Sequence, residues 1–350
     1  MLDVFRVRFV VIALLFHTIA FCRAYGGEIK EITVCPDGCG DFKTLQEAIA
    51  AVPDRSDSRT VIRLSPGVYQ GQIVVPQSKS KVTFAGGDPQ QTVLTYSHNV
   101  NEPDPNAENP RYRGCGVVVL ADDFRAENVT FENTSGDHGQ AMALRIDGDR
   151  ASFQNCRLLG WQDTLLLSRG RQYFLDCYVE GRVDFIYGAA TTVFDKCEVH
   201  SKNGGHITAA STPESHPLGF VFLNCKLTGD PTPWKNPAVE QRATESEATE
   251  PTPPNRKLPL ADLGRPWRPF GSVIYVNCWM GDHIKPEGWD NWRNAENEKT
   301  ARYREYNSTG PGANAARRVA WSKQLTEAEV ADLTPPKILS GNDSWNPTAN

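Results

Sequence analysis

Two glutamines and two aspartates, Gln140, Gln162, Asp163 and Asp184, recur in the middle of this 350-residue chain at spacings shared with the hydrophobic pattern around them. They lie in Gln140-Ala-Met-Ala-Leu144, Gln162-Asp-Thr-Leu165 and Asp184-Phe-Ile-Tyr-Gly188. Amides and carboxylates in one place suit acyl transfer. The amide N–H groups donate to an oxyanion, an ionised carboxylate attacks, and a protonated one acts as general acid and then as base. Each well-placed oxyanion donor is worth roughly 3 kcal/mol in the transition state. The seven histidines are scattered, and no Ser-His pairing fits the same stretch.

Such a constellation needs a scaffold that repeats with the same spacing. An aromatic, any residue, a polar residue and then a cysteine or threonine return as Phe131-Glu-Asn-Thr134, Phe153-Gln-Asn-Cys156, Phe174-Leu-Asp-Cys177, Phe194-Asp-Lys-Cys197, Phe222-Leu-Asn-Cys225 and Tyr275-Val-Asn-Cys278. The aromatics are 22, 21, 20, 28 and 53 residues apart. A period of 20 to 22 residues, lengthened by insertions, is the mark of a solenoid that adds one coil per repeat. Short β-branched and aromatic runs between Gly, Asn and Asp turns make the coils strands, so the expected fold is an all-β parallel β-helix. In it the Phe stacks inside, the Asn or Asp sits at a turn, and the Cys packs behind.

Counted from the aromatic, Gln140 and Gln162 each fall nine residues on, and Asp163 and Asp184 each fall ten. Equal offsets in adjacent coils stack. The glutamines are therefore expected as neighbours, with the aspartates beside them about 5 Å apart. Carboxylates that close repel, so one should hold a proton near neutral pH while the other is ionised. Spacing alone leaves other readings open. Asn, Gln and Asp ladders also satisfy turns in a β-helix, which would make the chain a polysaccharide-binding solenoid. A carboxylate pair about 5 Å apart also suits a retaining glycosidase, although an oxocarbenium-like transition state gives two glutamines no oxyanion to stabilise. A polysaccharide lyase or a thioesterase on this fold is a further alternative.

Arg265, in Leu263-Gly-Arg-Pro-Trp267, precedes the last repeat strand and is able to fold back onto the ionised aspartate. In a Gly/Pro turn a lone Arg is otherwise an ordinary surface residue. Trp161, Tyr187, Trp267, Trp289 and Trp292 lie near the same landmarks and suit stacking on sugar rings, or else core packing.

The remaining chain frames the solenoid. Residues 42–52 have helical spacing and stop at Pro53, which predicts a short helix capping the open end of the stack. Residues 230–262, rich in Pro, Glu and Thr, read as a surface insertion. Residues 297–350 lose the repeat, gain helical pieces such as Thr326 to Leu333, and are expected to wrap the far end. Residues 1–24 read as a secretory signal peptide, with Arg6 and Arg8 before the apolar run and Ala24 at the exit, the alternative being an uncleaved anchor. Residues 25–350 then form a single domain.

Composition, with 39% hydrophobic and 23% charged residues, is that of an ordinary globular chain. The net charge is −5; Arg6, Arg8 and Arg23 against Asp3 give the leader +2, leaving about −7, which disfavours nucleic acid and anionic membranes as partners. Export permits disulfides. Of the eight cysteines past Cys22, Cys35 and Cys39 are placed to bridge in a Pro-Asp-Gly loop. Cys156, Cys177, Cys197 and Cys225 form either a buried thiol ladder or a site for one disulfide, and Cys115 and Cys278 are unassigned.

Taken together, these blocks resemble the pectin methylesterase (pectinesterase) family over most of the chain past the leader. Asp37-Gly-Cys-Gly-Asp-Phe-Lys-Thr-Leu-Gln-Glu-Ala-Ile49 resembles the family's opening motif and Tyr306-Asn-Ser-Thr-Gly-Pro-Gly-Ala313 its closing one. Gln140-Ala-Met-Ala-Leu, Gly160-Trp-Gln-Asp-Thr-Leu165, Asp184-Phe-Ile-Tyr-Gly and Leu263-Gly-Arg-Pro-Trp resemble its catalytic blocks. The resemblance implies a secreted enzyme with a right-handed β-helix, without metal or organic cofactor, that removes methyl esters from galacturonate units of pectin (methyl-esterified homogalacturonan) and releases methanol. It implies Asp184 as nucleophile, Asp163 as acid then base, Gln140 and Gln162 as oxyanion hole, Arg265 as the residue orienting Asp184, and Trp267 at the sugar subsite; Tyr187 and Trp289, from the aromatics noted above, are expected to bind substrate with it. Two blocks depart from the pattern, with Gly67-Val-Tyr-Gln-Gly71 ending in Gly where the family has Glu, and Tyr187 standing where Phe is usual. Neither change removes a catalytic group. The family's N-terminal inhibitor-like domain is not expected here, and a monomer is. Glycan acceptors occur at Asn128, Asn133, Asn307 and Asn342.

Overall fold

A computed structural model of the protein describes residues 30–230 and 259–349. The leader expected at 1–24 and most of the insertion expected at 230–262 lie outside the described residues. At the insertion's edges the reading needs correcting. Asp230 closes a coil by bonding His200 (3.0 Å), and 261 and 262 already belong to the strand Ala261–Pro266.

Among the described residues every strand pairing is parallel, and the strands wind as a right-handed parallel β-helix. One wall is an 11-stranded sheet, running from Lys30–Val34 through Ala151–Gln154, Arg171–Leu175, Thr191–Asp195, Phe220–Leu223 and Ser272–Val276 to Lys323–Gln324. The rest of each coil is joined into a second, 13-stranded sheet, because the long strands Tyr178–Gly188 and Glu198–Ala210 bend and belong to two faces at once. In-register parallel pairing places like residues above like at one strand spacing. Phe153, Phe174, Phe194, Phe222 and Tyr275 accordingly stack in one column, with ring centroids 4.5, 4.9, 4.6 and 4.5 Å apart. Two residues later Asn155, Asp176, Lys196, Asn224 and Asn277 all turn the chain at positive φ, between 48° and 55°. Asn and Asp tolerate that conformation best, which explains their recurrence.

The cysteines behind the turns settle as a ladder of free, buried thiols at Cys156, Cys177, Cys197, Cys225 and Cys278. Each Sγ from Cys177 onward points at the carbonyl of the aromatic in the preceding coil, as Cys197 does at Phe174 O (3.4 Å). Cys35 and Cys39 are bridged.

The first member of the sequence repeat is misassigned. Phe131 pairs with Leu158, and it is Ala126 that pairs with Phe153. The Asn128 side chain, not that of Asn133, accepts from Asn155 Nδ2 (2.7 Å) in the turn ladder. Asn133 is instead buried, with Nδ2 donating to the carbonyls of His98, Gly114 and Met142.

The ends follow the expectation in outline. The helix Leu45–Ala51 is shorter than 42–52 because Thr44 and Glu47 form a reciprocal capping box, and it buries Leu45, Ala48 and Ile49 at the edge of the stack. The C-terminal segment does more than cover the far end. Trp321 packs on Tyr303 there, but the helix Pro335–Leu339 runs back along the outside of the 11-stranded sheet, with Leu339 against Tyr173 and Val193. Arg171 fastens it by donating to Leu339 O and Asp343. The helix expected over Thr326 to Leu333 is only Glu327–Val330.

Candidate active site

Four coils deliver the polar residues to one corner of the helix. Leu144, Leu165, Ile186, Thr208 and Gly264 occupy one row across the second sheet, and the site residues lie just before or after it. Gln140 bridges Gln162, and Gln162 bridges Val183, so the two amides and the two following acids are stacked neighbours. Asp163 N–H donates to Val183 O (3.0 Å), which sets Asp184 directly on the next coil. Both aspartates have positive φ, 65° and 51°, and both are buried.

The offsets that predicted this stacking held for the aspartates by true equivalence and for Gln140 by compensation. Ala126, the real counterpart of Phe153, lies five residues before Phe131, and the chain from Phe131 to Gln140 is five residues longer than that from Leu158 to Gln162. The two differences cancel.

Arg265 is not in a turn. It lies in the strand Ala261–Pro266, paired with Ala209, which pairs with Tyr187. Because Ala209 offers only a methyl group, the Arg265 side chain crosses it to the coil beyond. There Nε and Nη2 donate to the two Asp184 carboxylate oxygens at 2.8 and 2.7 Å, a bidentate pair. The Trp292 indole lies over the same guanidinium at 3.9 Å. Two consecutive left-handed residues, Trp292 (φ 60°) and Arg293 (φ 55°), carry that ring inward, with Asp290 Oδ1 accepting the Trp292 N–H (2.7 Å).

The two carboxylates thus stand in different surroundings. Asp184 has a fixed counter-charge. Burial, and then the Asp184 charge beside it, push the Asp163 carboxyl up to about 7, against the opposing pull of a Tyr187 hydrogen bond, the Arg265 charge and a Gln162 hydrogen bond. One partner suits attack and the other proton transfer. Both aspartates, both glutamines and Arg265 line a single cleft of about 450 Å³, together with Tyr187 and Trp267, whose rings meet edge to face at 5.8 Å.

The Pectinesterase family model matches residues 31–342. The chain belongs to the pectinesterase family. Pectinesterase 31 of Arabidopsis thaliana is 42% identical over 308 residues, covering 86% of this chain and 89% of that one. Among solved structures, a pectin methylesterase from carrot superposes with a TM-score of 0.77 at 30% identity, covering 89% of this chain and 93% of that one. A pectin methylesterase in complex with a hexasaccharide gives 0.71 at 27%, covering 91% and 98%.

For this pectinesterase, one expected subsite residue must be withdrawn. Trp289 is 3% exposed and stacks on Tyr303 (4.3 Å) in the hydrophobic core, with Tyr275 on another side (5.9 Å). Its backbone bridges Gly264, so its side chain points inward from the coil beyond Arg265. The aromatic that reaches the cleft from this segment is Trp292, and Asp290 two residues before it, able to cap the turn, was the available signal. Trp161 lies outside the cleft lining, with the Lys202 ammonium 3.8 Å from its ring. Among the described residues, no group of three or more His, Cys, Asp or Glu side chains is arranged to hold a metal ion.

Proposed function

We propose that this protein hydrolyses the methyl esters of galacturonate units in pectin through a covalent acyl-enzyme intermediate on Asp184. An Asp184 oxygen attacks the ester carbonyl carbon, and the developing oxyanion takes hydrogen bonds from the side-chain amides of Gln140 and Gln162. Protonated Asp163 gives its proton to the methoxy oxygen as the C–O bond breaks, and methanol leaves. Asp163, now ionised, takes a proton from water as that water attacks the mixed anhydride, returning Asp184 and a free galacturonate. Arg265 holds the attacking carboxylate in one plane, and Trp267 and Tyr187 offer apolar faces to the sugar. No cofactor takes part.

The observation that carries this reading is the pair of stacked aspartates in unlike environments, one bound bidentately by arginine and the other with its carboxyl raised to about 7. The hexasaccharide held by the solved relative supports a polysaccharide substrate. The same reading makes the chain a monomer exported by residues 1–24 to act on cell-wall pectin; among the described residues no helix is long and apolar enough to cross a membrane.

Incubation with highly methyl-esterified pectin tests the reaction. Methanol should appear in step with acid release, without new reducing ends or unsaturated products. Reducing ends would transfer the site to a glycosidase, and unsaturated ends to a lyase.

A further inference from the structure

Tyr187 puts a hydroxyl where Phe is usual in the family. Arg145, Leu166, Tyr187, Ala209 and Arg265 form one row across successive coils, each paired with the next. The arginines at the two ends of this row are each bound by a carboxylate, Arg145 by Asp147 and Arg265 by Asp184. Leu166 and Ala209, beside Tyr187 in the row, offer its hydroxyl nothing polar. The Tyr187 ring is 8% exposed and meets Trp267 edge to face. A hydroxyl so placed needs a partner. Its partner is the Asp163 carboxyl, one coil earlier on the same cleft, to which it is hydrogen-bonded.

The direction of that bond follows from the two groups. Burial, and then the Asp163 charge, hold the Tyr187 phenol protonated well above its ordinary range, so it is the donor. A carboxylate that accepts a hydrogen bond is favoured over its protonated form. The other charged or titratable groups facing the pair are Asp184 and Arg265 on later coils, Cys115 and Arg145 on earlier ones, and Arg111, Tyr112 and Arg113 at the turn Pro110–Tyr112. Burial lifts the Cys115 thiol to about 12, far from the range in which Asp163 titrates.

We propose that Tyr187 is a positioning residue for Asp163: its hydroxyl holds that carboxyl in one orientation and donates to the carboxylate left when the proton has gone to the methoxy oxygen. The assignment rests on the acid–base role given to Asp163 above, and it is separate from any contact of the Tyr187 ring with sugar. Its consequence is that Asp163 gives up its proton at a lower pH than it would beside Phe, so the alkaline limit of the reaction is lower too.

Tyr187→Phe keeps the ring and removes only the hydroxyl. Initial rates of methanol release from methyl-esterified pectin, corrected for uncatalysed saponification, are followed from about pH 5 to about pH 9. The alkaline midpoint of kcat/KM should move up by about one unit, and kcat below the midpoint should fall severalfold as the carboxyl loses its fixed orientation. A midpoint that stays or moves down overturns the proposal. A rise in KM alone also overturns it, since the hydroxyl would then be a sugar contact. Melting temperature gives a readout free of catalysis. The folded protein holds the Asp163 proton to higher pH than the unfolded chain, so stability is lost as pH rises from about 4 through the folded value, and raising that value further enlarges the loss. Between about pH 4 and about pH 9 the melting temperature of Tyr187→Phe should fall about 2 °C further than that of wild type. In the Asp163→Asn background the same substitution should add nothing. An equal fall in wild type and Tyr187→Phe, or an excess that persists with Asp163→Asn, overturns the assignment. If wild type releases no methanol, the proposed reaction fails on its own, and the melting series still decides whether the hydroxyl supports the Asp163 carboxylate.

Discussion

Asp163 and Asp184 occupy the same position in successive coils, both at positive φ, yet only Asp184 is clasped by an arginine. One residue type at one place in the repeat thus stands in two environments, because a side chain two coils away reaches only one of them. Arg265 pairs along the sheet with Ala209, whose methyl group leaves its side chain room to reach Asp184.

Replacing Asp184 with Asn keeps the shape and removes the proposed nucleophile. Turnover on methyl-esterified pectin should fall by about 10⁴-fold or more, while far-UV circular dichroism is unchanged. Full activity in Asp184→Asn would exclude the covalent route.

On the proposed route Asp163 is protonated when the methoxy group leaves as methanol. Its carboxyl is raised to about 7, so where acylation limits the rate, kcat/KM should decline about tenfold per pH unit above that value. The stability sign is the opposite of the usual carboxylate case. A raised pKa means the folded state keeps a proton that the unfolded chain gives up at lower pH, so stability is lost as pH rises from about 4 to 7. Asp163→Asn should therefore be inactive but melt at a higher temperature than wild type at pH 8, and at nearly the same temperature at pH 4. A lower melting temperature at pH 8 would show that the carboxylate is not strained by its burial.

Arg265→Lys keeps the charge and loses the two-pronged grip on Asp184. We expect kcat to drop by about 10²-fold with KM little changed, measured as methanol release under saturating substrate. Gln162→Ala should act in the same direction by a similar factor, since it removes one proposed oxyanion donor. A rise in KM alone would make either residue a binding group.

Two tryptophans of similar sequence setting should separate cleanly. Trp289→Ala removes a core ring and should lower stability by about 3–5 kcal/mol in denaturant titration, leaving KM intact in the molecules that remain folded. Trp267→Ala should raise KM several-fold with the unfolding midpoint unchanged.

How much of this was legible beforehand depends on how local each signal is. The β-helix, the Phe column and the adjacency of Asp163 and Asp184 were legible because a parallel solenoid converts a sequence period directly into a stack. Cys35 and Cys39 were legible because four residues of chain keep them close. Phe131 was misread because its motif is also compatible with the next strand of the coil, and only pairing with Leu158 distinguishes the two. The insertion edge at 261 and 262 was misread because Asp and Ala say little about strand pairing.

The sequence by itself determined the repeat, and with it which acids and amides had to meet, since register along a coil is fixed by covalent spacing. Tertiary structure alone decided that Trp289 faces the core while Trp292 covers Arg265. Those outcomes depend on strands and turns far apart in the chain. Their distances are set by packing between coils, of which a linear spacing carries no record.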